Sequence, residues 1–124
     1  MRPQNQLLIF FLAILLAIPL YAHHSITVEF DSTKEVRLRG TVANVDWMNP
    51  HTYVFVDVKD PSLGKTRTWA CELASPAELA RRGFTRNSLK IGMEVQVVGT
   101  RAKDGSFKVH TETLSADNSV LLGK

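Results

Sequence analysis

The sequence predicts a mainly β protein with one short helix, and three observations support that prediction. Apolar residues alternate with polar ones in five separate segments between positions 36 and 115, as they do in half-buried strands. The alternation slips by one residue inside the first segment, and a helix-capping sequence stands between the third and fourth segments. Five strands, a bent first strand and a helix after the third strand are typical of the OB-fold, a small partly open barrel. A β-meander with a helix laid across it is the alternative.

The first predicted strand is long and bent. Leu38 and Val42 share one parity of the alternation, whereas Val45 and Trp47 fall on the other. A slip of one residue within a strand is the mark of a β-bulge, which bends the strand and increases its twist. Pro50 ends the strand, because proline cannot donate a hydrogen bond to the ladder.

The second and third strands are predicted at positions 51–59 and 66–73, with a Pro- and Gly-containing turn between them. Positions 75–78 (Ser-Pro-Ala-Glu) then form a capping box with proline at the first helical position. We therefore expect a short helix from Pro76 to about Arg82, which a glycine in the left-handed conformation ends.

The fourth and fifth strands are predicted around positions 93–97 and 106–114. The dipeptide at positions 104–105 (Asp-Gly) predicts a two-residue hairpin between them. These boundaries give a domain at 36–115, an N-terminal arm at 23–35 and a loose C-terminal tail at 116–124.

The first 22 residues predict a secretory signal peptide. Arg2 is the only charged residue before Glu29, and the apolar run at positions 7–20 spans 14 residues. That run is shorter than the roughly 20 residues of a membrane-spanning helix. Cleavage after Ala22 would leave a periplasmic or secreted protein that begins at His23 and has no membrane attachment. An uncleaved N-terminal anchor is the alternative.

Composition narrows the possible functions. The chain has 124 residues, of which 15 are basic and 12 acidic, so its net charge of +3 is slight. Nucleic-acid-binding proteins usually carry a clustered basic stripe, and we expect no nucleic-acid partner here. The single cysteine, Cys71, excludes a disulfide scaffold. It alternates with Trp69 and Leu73, which predicts a buried residue rather than a nucleophile. No catalytic motif is recognisable, so we expect a non-enzymatic protein.

The predicted mature N-terminus suggests a metal site. His23 would offer its free α-amino group and its ring as a chelate, and His24 would add another imidazole. Copper(II) binds such nitrogen donors most tightly among the divalent first-row ions. In an OB-fold the loops before the second and fifth strands lie at the ligand-binding mouth, so His51 or His110 could complete the site. The alternative is that His23 and His24 are simply the solvated start of the mature chain.

A second candidate site is the segment Trp47–His51 together with the strand that follows it. Trp47 could form an apolar wall, Asn49 and His51 polar contacts, and Tyr53 a stacking surface for a ligand. This mouth would lie between the 47–51 loop and the hairpin at 104–105. The alternative is structural, with Trp47 packed in the core, His51 bonded to the backbone and Tyr53 part of the core.

These motifs resemble a family of small exported bacterial proteins of unknown function. The resemblance rests on the segments 22–25 (AHHS), 29–31 (EFD), 38–42 (LRGTV) and 47–51 (WMNPH), and continues at 75–76, 82–85, 89–92 and 101–106. It implies a signal peptide and a small mainly β domain. More loosely, the chain resembles periplasmic OB-fold proteins that bind small cationic or stress-related ligands. The mature N-terminal histidine is analogous to that of copper "histidine brace" proteins.

Three functional hypotheses follow. The first is an exported, non-enzymatic binding protein for an unknown small ligand. The second is a copper-binding or copper-handling protein that uses the N-terminal histidine. The third is a structural partner of another envelope protein.

Overall fold

The computed structural model describes residues 26–123, which form one mainly β unit with two short helices. The signal peptide predicted at 1–22 and the candidate ligands His23 and His24 lie outside the described residues. In chain order the elements are α1 (Ile26–Glu29), β1 (Phe30–Asp46), β2 (Tyr53–Asp60), β3 (Lys65–Glu72), α2 (Pro76–Arg81), β4 (Glu94–Ala102), β5 (Lys108–Ala116) and β6 (Ser119–Leu122). No helix in this part of the chain is long and apolar enough to cross a membrane.

The strands form one sheet in the order β3-β2-β1-β4-β5-β6, and β3 also pairs with β5. The neighbours in that order are antiparallel, whereas the β3–β5 pairing is parallel and brings Cys71 opposite Val109 and Glu72 opposite His110. The end of β3 and the start of β5 therefore lie side by side, although they are distant in sequence.

The predicted bulge in β1 is confirmed. Val42 pairs with Val56 and Asn44 with Phe55, so one extra residue is accommodated in β1 between the two pairs. This bulge lets one continuous strand pair with β4 along its first part and with β2 along its last part.

The prediction of five strands is wrong, because the described residues contain six. The sixth, β6, lies in the segment that was predicted to be a loose tail. Asp117 and Asn118 adopt positive φ angles of 49° and 61° and form the tight turn between β5 and β6. Aspartate and asparagine tolerate this conformation. Leu122 then packs into the core at 5% exposure.

Two other boundaries differ from the prediction. The arm predicted at 23–35 contains a helical turn, Ile26–Glu29, and the start of β1 at Phe30. The two-residue hairpin predicted at 104–105 is a five-residue loop, since β4 ends at Ala102 and β5 begins at Lys108. In this loop an Asp104 carboxylate oxygen accepts a hydrogen bond from the Ser106 amide at 2.9 Å, which favours a wider turn.

The predicted helix forms as expected. The Ser75 hydroxyl accepts a hydrogen bond from the Glu78 amide at 3.3 Å, and Pro76 occupies the first turn. Gly83 follows with a φ of 79°. The side chains of Leu79 and Phe84 are buried in the core. Together these contacts fix α2 against the end of β3.

Candidate functional site

A cleft of about 590 Å³ lies between the β1–β2 loop, α2 and the first half of β5. We call it the histidine cleft, because both His51 and His110 line it. Its other lining residues include Ile26 from α1 and Pro50, Glu78 and Arg82. The sequence predicted a mouth between the 47–51 loop and the 104–105 turn. The cleft is instead lined by the end of the 47–51 loop and by α2.

His51 is held at the cleft by the backbone on both sides of it. The Thr52 amide donates to the Ala74 carbonyl at 3.1 Å, and the Leu73 amide donates to the Thr52 carbonyl at 2.8 Å. His51 Nδ1 lies 3.2 Å from the Leu73 carbonyl oxygen. A carbonyl only accepts, so Nδ1 donates in this contact, and in the neutral ring Nε2 then carries the lone pair. The His51 side chain is 45% exposed.

His110 approaches the same cleft from β5. Its ring packs against Phe30, with the ring centroids 5.5 Å apart. Its Nδ1 atom is buried and has no hydrogen-bond partner within residues 26–123. Nε2 is therefore the nitrogen of His110 that a ligand in the cleft could reach.

A buried carboxylate, Glu72, stands beside His51. Its side chain is 5% exposed, and its Oε1 lies 3.6 Å from His51 Nδ1. Its Oε2 accepts hydrogen bonds from the Tyr53 hydroxyl at 3.0 Å and from Lys108 Nζ at 3.1 Å. A hydrogen-bond acceptor on one nitrogen of an imidazole fixes its tautomer and raises the donor strength of the other nitrogen. At His51 that acceptor is the Leu73 carbonyl, whereas Glu72 at 3.6 Å adds a negative charge nearby.

Lys108 connects this carboxylate to the N-terminal segment. Its ammonium group pairs with both Glu29 and Glu72 and lies 5.5 Å and 5.4 Å from the ring centroids of Phe30 and Tyr53. Burial by itself lowers the pKa of Lys108, but hydrogen bonds to the two carboxylates outweigh it and raise that pKa. Burial, followed by the charge of Glu72, raises the pKa of Tyr53.

Neither Glu72 nor Lys108 was predicted from the sequence. Glu72 lies directly between Cys71 and Leu73 in a predicted strand. A carboxylate in such a position is rarely buried without a partner, and this was the signal that could have identified it. The partner itself comes from a strand 36 positions later, at Lys108, and no local pattern marks it.

Of the four predicted ligand residues, the structure brings His51 to the cleft and places the other three elsewhere. Trp47 packs against Phe84, with ring centroids 5.9 Å apart, and the Arg86 guanidinium lies 5.4 Å from its ring. Asn49 is exposed in the loop, and Tyr53 is bonded to Glu72. These contacts favour the structural alternative for Trp47, in which its side chain packs against the core.

Of the four predicted metal ligands, His51 and His110 share the cleft. Within residues 26–123 no group of three or more His, Cys, Asp or Glu side chains is arranged to hold a metal ion. The described chain begins, however, at Ile26, which lines the same cleft. His23 and His24, the other two predicted ligands, lie outside the described residues.

A comparison of the sequence with models of protein families found a match. The model of a family of unknown function, DUF6152, matches residues 12–111. The chain belongs to this family. The matched segment of this DUF6152 protein includes all four histidines, Glu72 and Lys108. A search of curated proteins found no match.

Cys71 of the DUF6152 protein is buried in the hydrophobic core, in the strand that ends at Glu72. Its side chain has no exposed surface, and burial raises the pKa of its thiol to about 12. Because the thiolate is the reactive and metal-binding form, Cys71 contributes packing rather than chemistry. The prediction that it is a small buried residue is confirmed.

Proposed function

We propose that this DUF6152 protein is an exported, periplasmic binding protein that holds copper(II) in the histidine cleft. His51 and His110 would bind the ion together with His23 at the mature N-terminus, and His24 is available as a further imidazole. The observation that supports this proposal is that His51 and His110, from different parts of the chain, line one cleft together with Ile26. The proposed role is binding without catalysis.

The donor set suits copper(II). Imidazole and amine nitrogens are preferred by copper, nickel and zinc, and copper(II) binds most tightly in this series. His51 has its Nδ1 occupied by the Leu73 carbonyl and faced by Glu72, so Nε2 is the coordinating atom. His23 would supply two nitrogens, the α-amine and one ring nitrogen. Two cleft histidines and this chelate make four nitrogen donors.

We further infer that β1 to β5 form a barrel of the OB type, with β6 added at one edge. The support is the β3–β5 pairing, which returns the strand order β3-β2-β1-β4-β5 to its starting strand. The helix between β3 and β4 and the bulged first strand also agree with that architecture. In OB-folds the β1–β2 loop borders the ligand site, and His51 lies at the end of that loop.

The test is a copper(II) titration of the natively exported protein. Intact mass first confirms a chain that begins at His23, and a competing chelator then measures the affinity. We expect one ion per chain, and at least about a tenfold loss of affinity for His51→Ala and for His110→Ala, since each removes one ligand. Asn49→Ala, in the same loop but outside the cleft, is the matched control and should bind as the unaltered protein does.

A second experiment tests whether the position of the N-terminus matters. One extra residue in front of His23 removes the chelate, because the α-amine moves away from the imidazole, and tight binding should be lost. Full affinity in the extended chain or in both cleft variants would contradict a copper site here. Recovery of a stoichiometric companion from envelope extract would then favour the alternative role as a structural partner of an envelope protein.

A further inference from the structure

We propose that Arg67 and Arg101 form a binding site for a phosphate group where β3 lies beside the loop between β4 and β5. The site consists of these two arginines together with Trp69 and Phe107, and we call it the arginine–aromatic patch. It shares no residue with the lining of the histidine cleft, and it goes beyond the proposed copper function without depending on it.

Two positively charged side chains converge on one aromatic ring in this patch. The Cζ atoms of Arg67 and Arg101 lie 4.9 Å and 5.8 Å from the centroid of the Phe107 ring. Arg101 Cζ also lies 5.3 Å from the Trp69 ring, and the Trp69 and Phe107 rings meet edge-on with their centroids 5.2 Å apart. Aromatic faces attract cations and so hold both guanidinium groups in place. They do not neutralise the two like charges, which repel each other.

Within the described part of the chain, no carboxylate forms an ion pair with either arginine. Two aspartates lie in the turns next to these strands, but each is bonded within its own turn. An Asp60 oxygen accepts hydrogen bonds from the Ser62 hydroxyl and amide, and an Asp104 oxygen accepts one from the Ser106 amide at 2.9 Å. The bonds from Ser62 lower the pKa of Asp60, and the charge of Arg67 adds a smaller effect. The patch therefore keeps positive charge that an external anion can neutralise.

The two arginines retain hydrogen-bond donors for such an anion. The Arg67 side chain makes no hydrogen bond to another residue of the described chain, so all five of its N–H groups are available. Arg101 donates from Nη2 to the Gly105 carbonyl oxygen at 2.8 Å, and its Nε is buried, so Nη1 remains for a ligand. A guanidinium over an aromatic ring presents its N–H groups at its edge, in the fork that matches the oxygens of a phosphate.

The aromatic ring between the arginines is fixed by the backbone and still reaches the surface. The Phe107 carbonyl oxygen accepts a hydrogen bond from the Ala70 amide at 2.8 Å, which ties the loop to β3. The Phe107 side chain is 39% exposed and can contact the organic part of a phosphate ester. A phosphate has more acceptor oxygens and more charge than a carboxylate, so it can bind both arginines at once. Free phosphate and a lipid headgroup share this chemistry.

The experiment measures the binding of two phosphate probes to the natively exported protein. Inorganic phosphate is titrated into the 15N-labelled protein at constant ionic strength, since salt screens exposed charges. We expect saturable shifts of the Arg67 and Phe107 amide signals in the millimolar range. Vesicles of phosphatidylglycerol, compared with vesicles of phosphatidylcholine alone, then test by co-sedimentation whether an anionic lipid headgroup is a source of the phosphate.

Three variants test whether the patch is the binding site. Arg67→Gln should weaken binding about tenfold, because it removes charged hydrogen-bond donors without breaking a side-chain hydrogen bond of the fold. Phe107→Leu keeps both charges but removes the ring that positions them, and it should weaken binding as well. Arg86→Gln is the matched control and should bind as the parent does. Arg86 is exposed and lies 5.4 Å from the Trp47 ring, but no second arginine of the described chain shares that ring. Thermal denaturation of each variant confirms that it is folded at the temperature of the titration.

The outcomes separate a phosphate site from a general effect of charge. Binding of inorganic phosphate that is weakened in Arg67→Gln and retained in Arg86→Gln would support the site. The same pattern with phosphatidylglycerol vesicles only would support it and identify a lipid headgroup as the source. Absence of binding to both probes would overturn the site. Unchanged affinity in Arg67→Gln, or equal losses in Arg67→Gln and Arg86→Gln, would also overturn it. None of these results depends on copper binding at the histidine cleft.

Discussion

The backbone of His110 occupies the space that a side chain at Gly99 would need. A Cβ built on Gly99 would lie 2.0 Å from the His110 carbonyl oxygen. The β4–β5 register shifts between Val98 and Gly99, so the two strands approach closely at this step. The absence of a side chain at position 99 therefore allows β4 to approach the backbone of β5 at His110.

Gly99→Ala should consequently disturb both stability and the site. We expect a loss of about 3 kcal/mol in the free energy of unfolding, because the added methyl group meets backbone rather than a movable side chain. Urea denaturation measures this loss. Gly64→Ala is the control. Gly64 has a φ of 62° but open space around its Cβ position, so about 1 kcal/mol of backbone strain is expected. Equal losses in the two variants would contradict the packing argument.

Trp47→Ala should lower stability without affecting copper binding. Trp47 is partly buried and packs against Phe84 at the core rather than lining the cleft. Its truncation should cost roughly 2 kcal/mol, less than the value for a fully buried tryptophan. Met48→Ala, at the exposed neighbouring position, should change stability by less than about 0.5 kcal/mol. A loss of copper affinity in Trp47→Ala at a temperature where it remains folded would return Trp47 to the binding site.

The stability of the protein should fall at high pH because of Lys108 and Tyr53. The pKa values of both groups are raised in the folded state, by the two carboxylates that outweigh burial at Lys108 and by burial at Tyr53. The folded protein therefore keeps these protons at pH values where the unfolded chain loses them. The contribution of these two groups to stability is complete below their pKa values in the unfolded chain, about 10. It is lost as the pH rises through their pKa values in the folded protein.

Lys108→Met isolates that effect. At neutral pH it should destabilise the protein by about 2 kcal/mol, the magnitude of hydrogen bonds to charged groups. Its free energy of unfolding, measured in urea from pH 8 to 11, should also decline less steeply than that of the parent. Lys65→Met, at an exposed lysine, should retain the parental slope. Identical slopes for the parent and Lys108→Met would contradict the assignment.

Cys71 should be unreactive in the folded protein. Its thiol is fully buried and has a pKa raised to about 12, so little thiolate is present at pH 8. Alkylation at that pH should proceed only through unfolding, and it should become fast in a denaturing concentration of urea. Rapid alkylation under native conditions would show that β3 opens locally.

Local patterns predicted the parts of the fold whose causes are local. The bulge in β1 follows from a one-residue slip in parity, and the start of α2 follows from a serine that caps its own first turn. The sixth strand was missed although its turn, at Asp117 and Asn118, carries a recognisable signal. That signal is a pair of residues that tolerate positive φ, followed after Ser119 by three apolar residues.

The candidate site was only partly predictable. His51 and His110 were identified as histidines near two loops, but their meeting depends on the parallel pairing of β3 with β5. The contribution of Glu72 and Lys108 was not predicted, because their partners are remote in sequence. The sequence left the role of Trp47 open, because an aromatic residue beside a loop has the same local pattern whether it packs on the core or lines a pocket.

The sequence by itself determined that the domain is mainly β, where its first strand bends, where its longer helix begins and that Cys71 is buried. Each of these depends on hydrogen bonds or alternation within a few residues. Only the tertiary structure decided that His51, His110 and Ile26 border one cleft and that Lys108 joins Glu29 to Glu72. These contacts join residues that are distant in sequence, and they depend on the order and register in which the strands pair. No local sequence pattern determines that pairing.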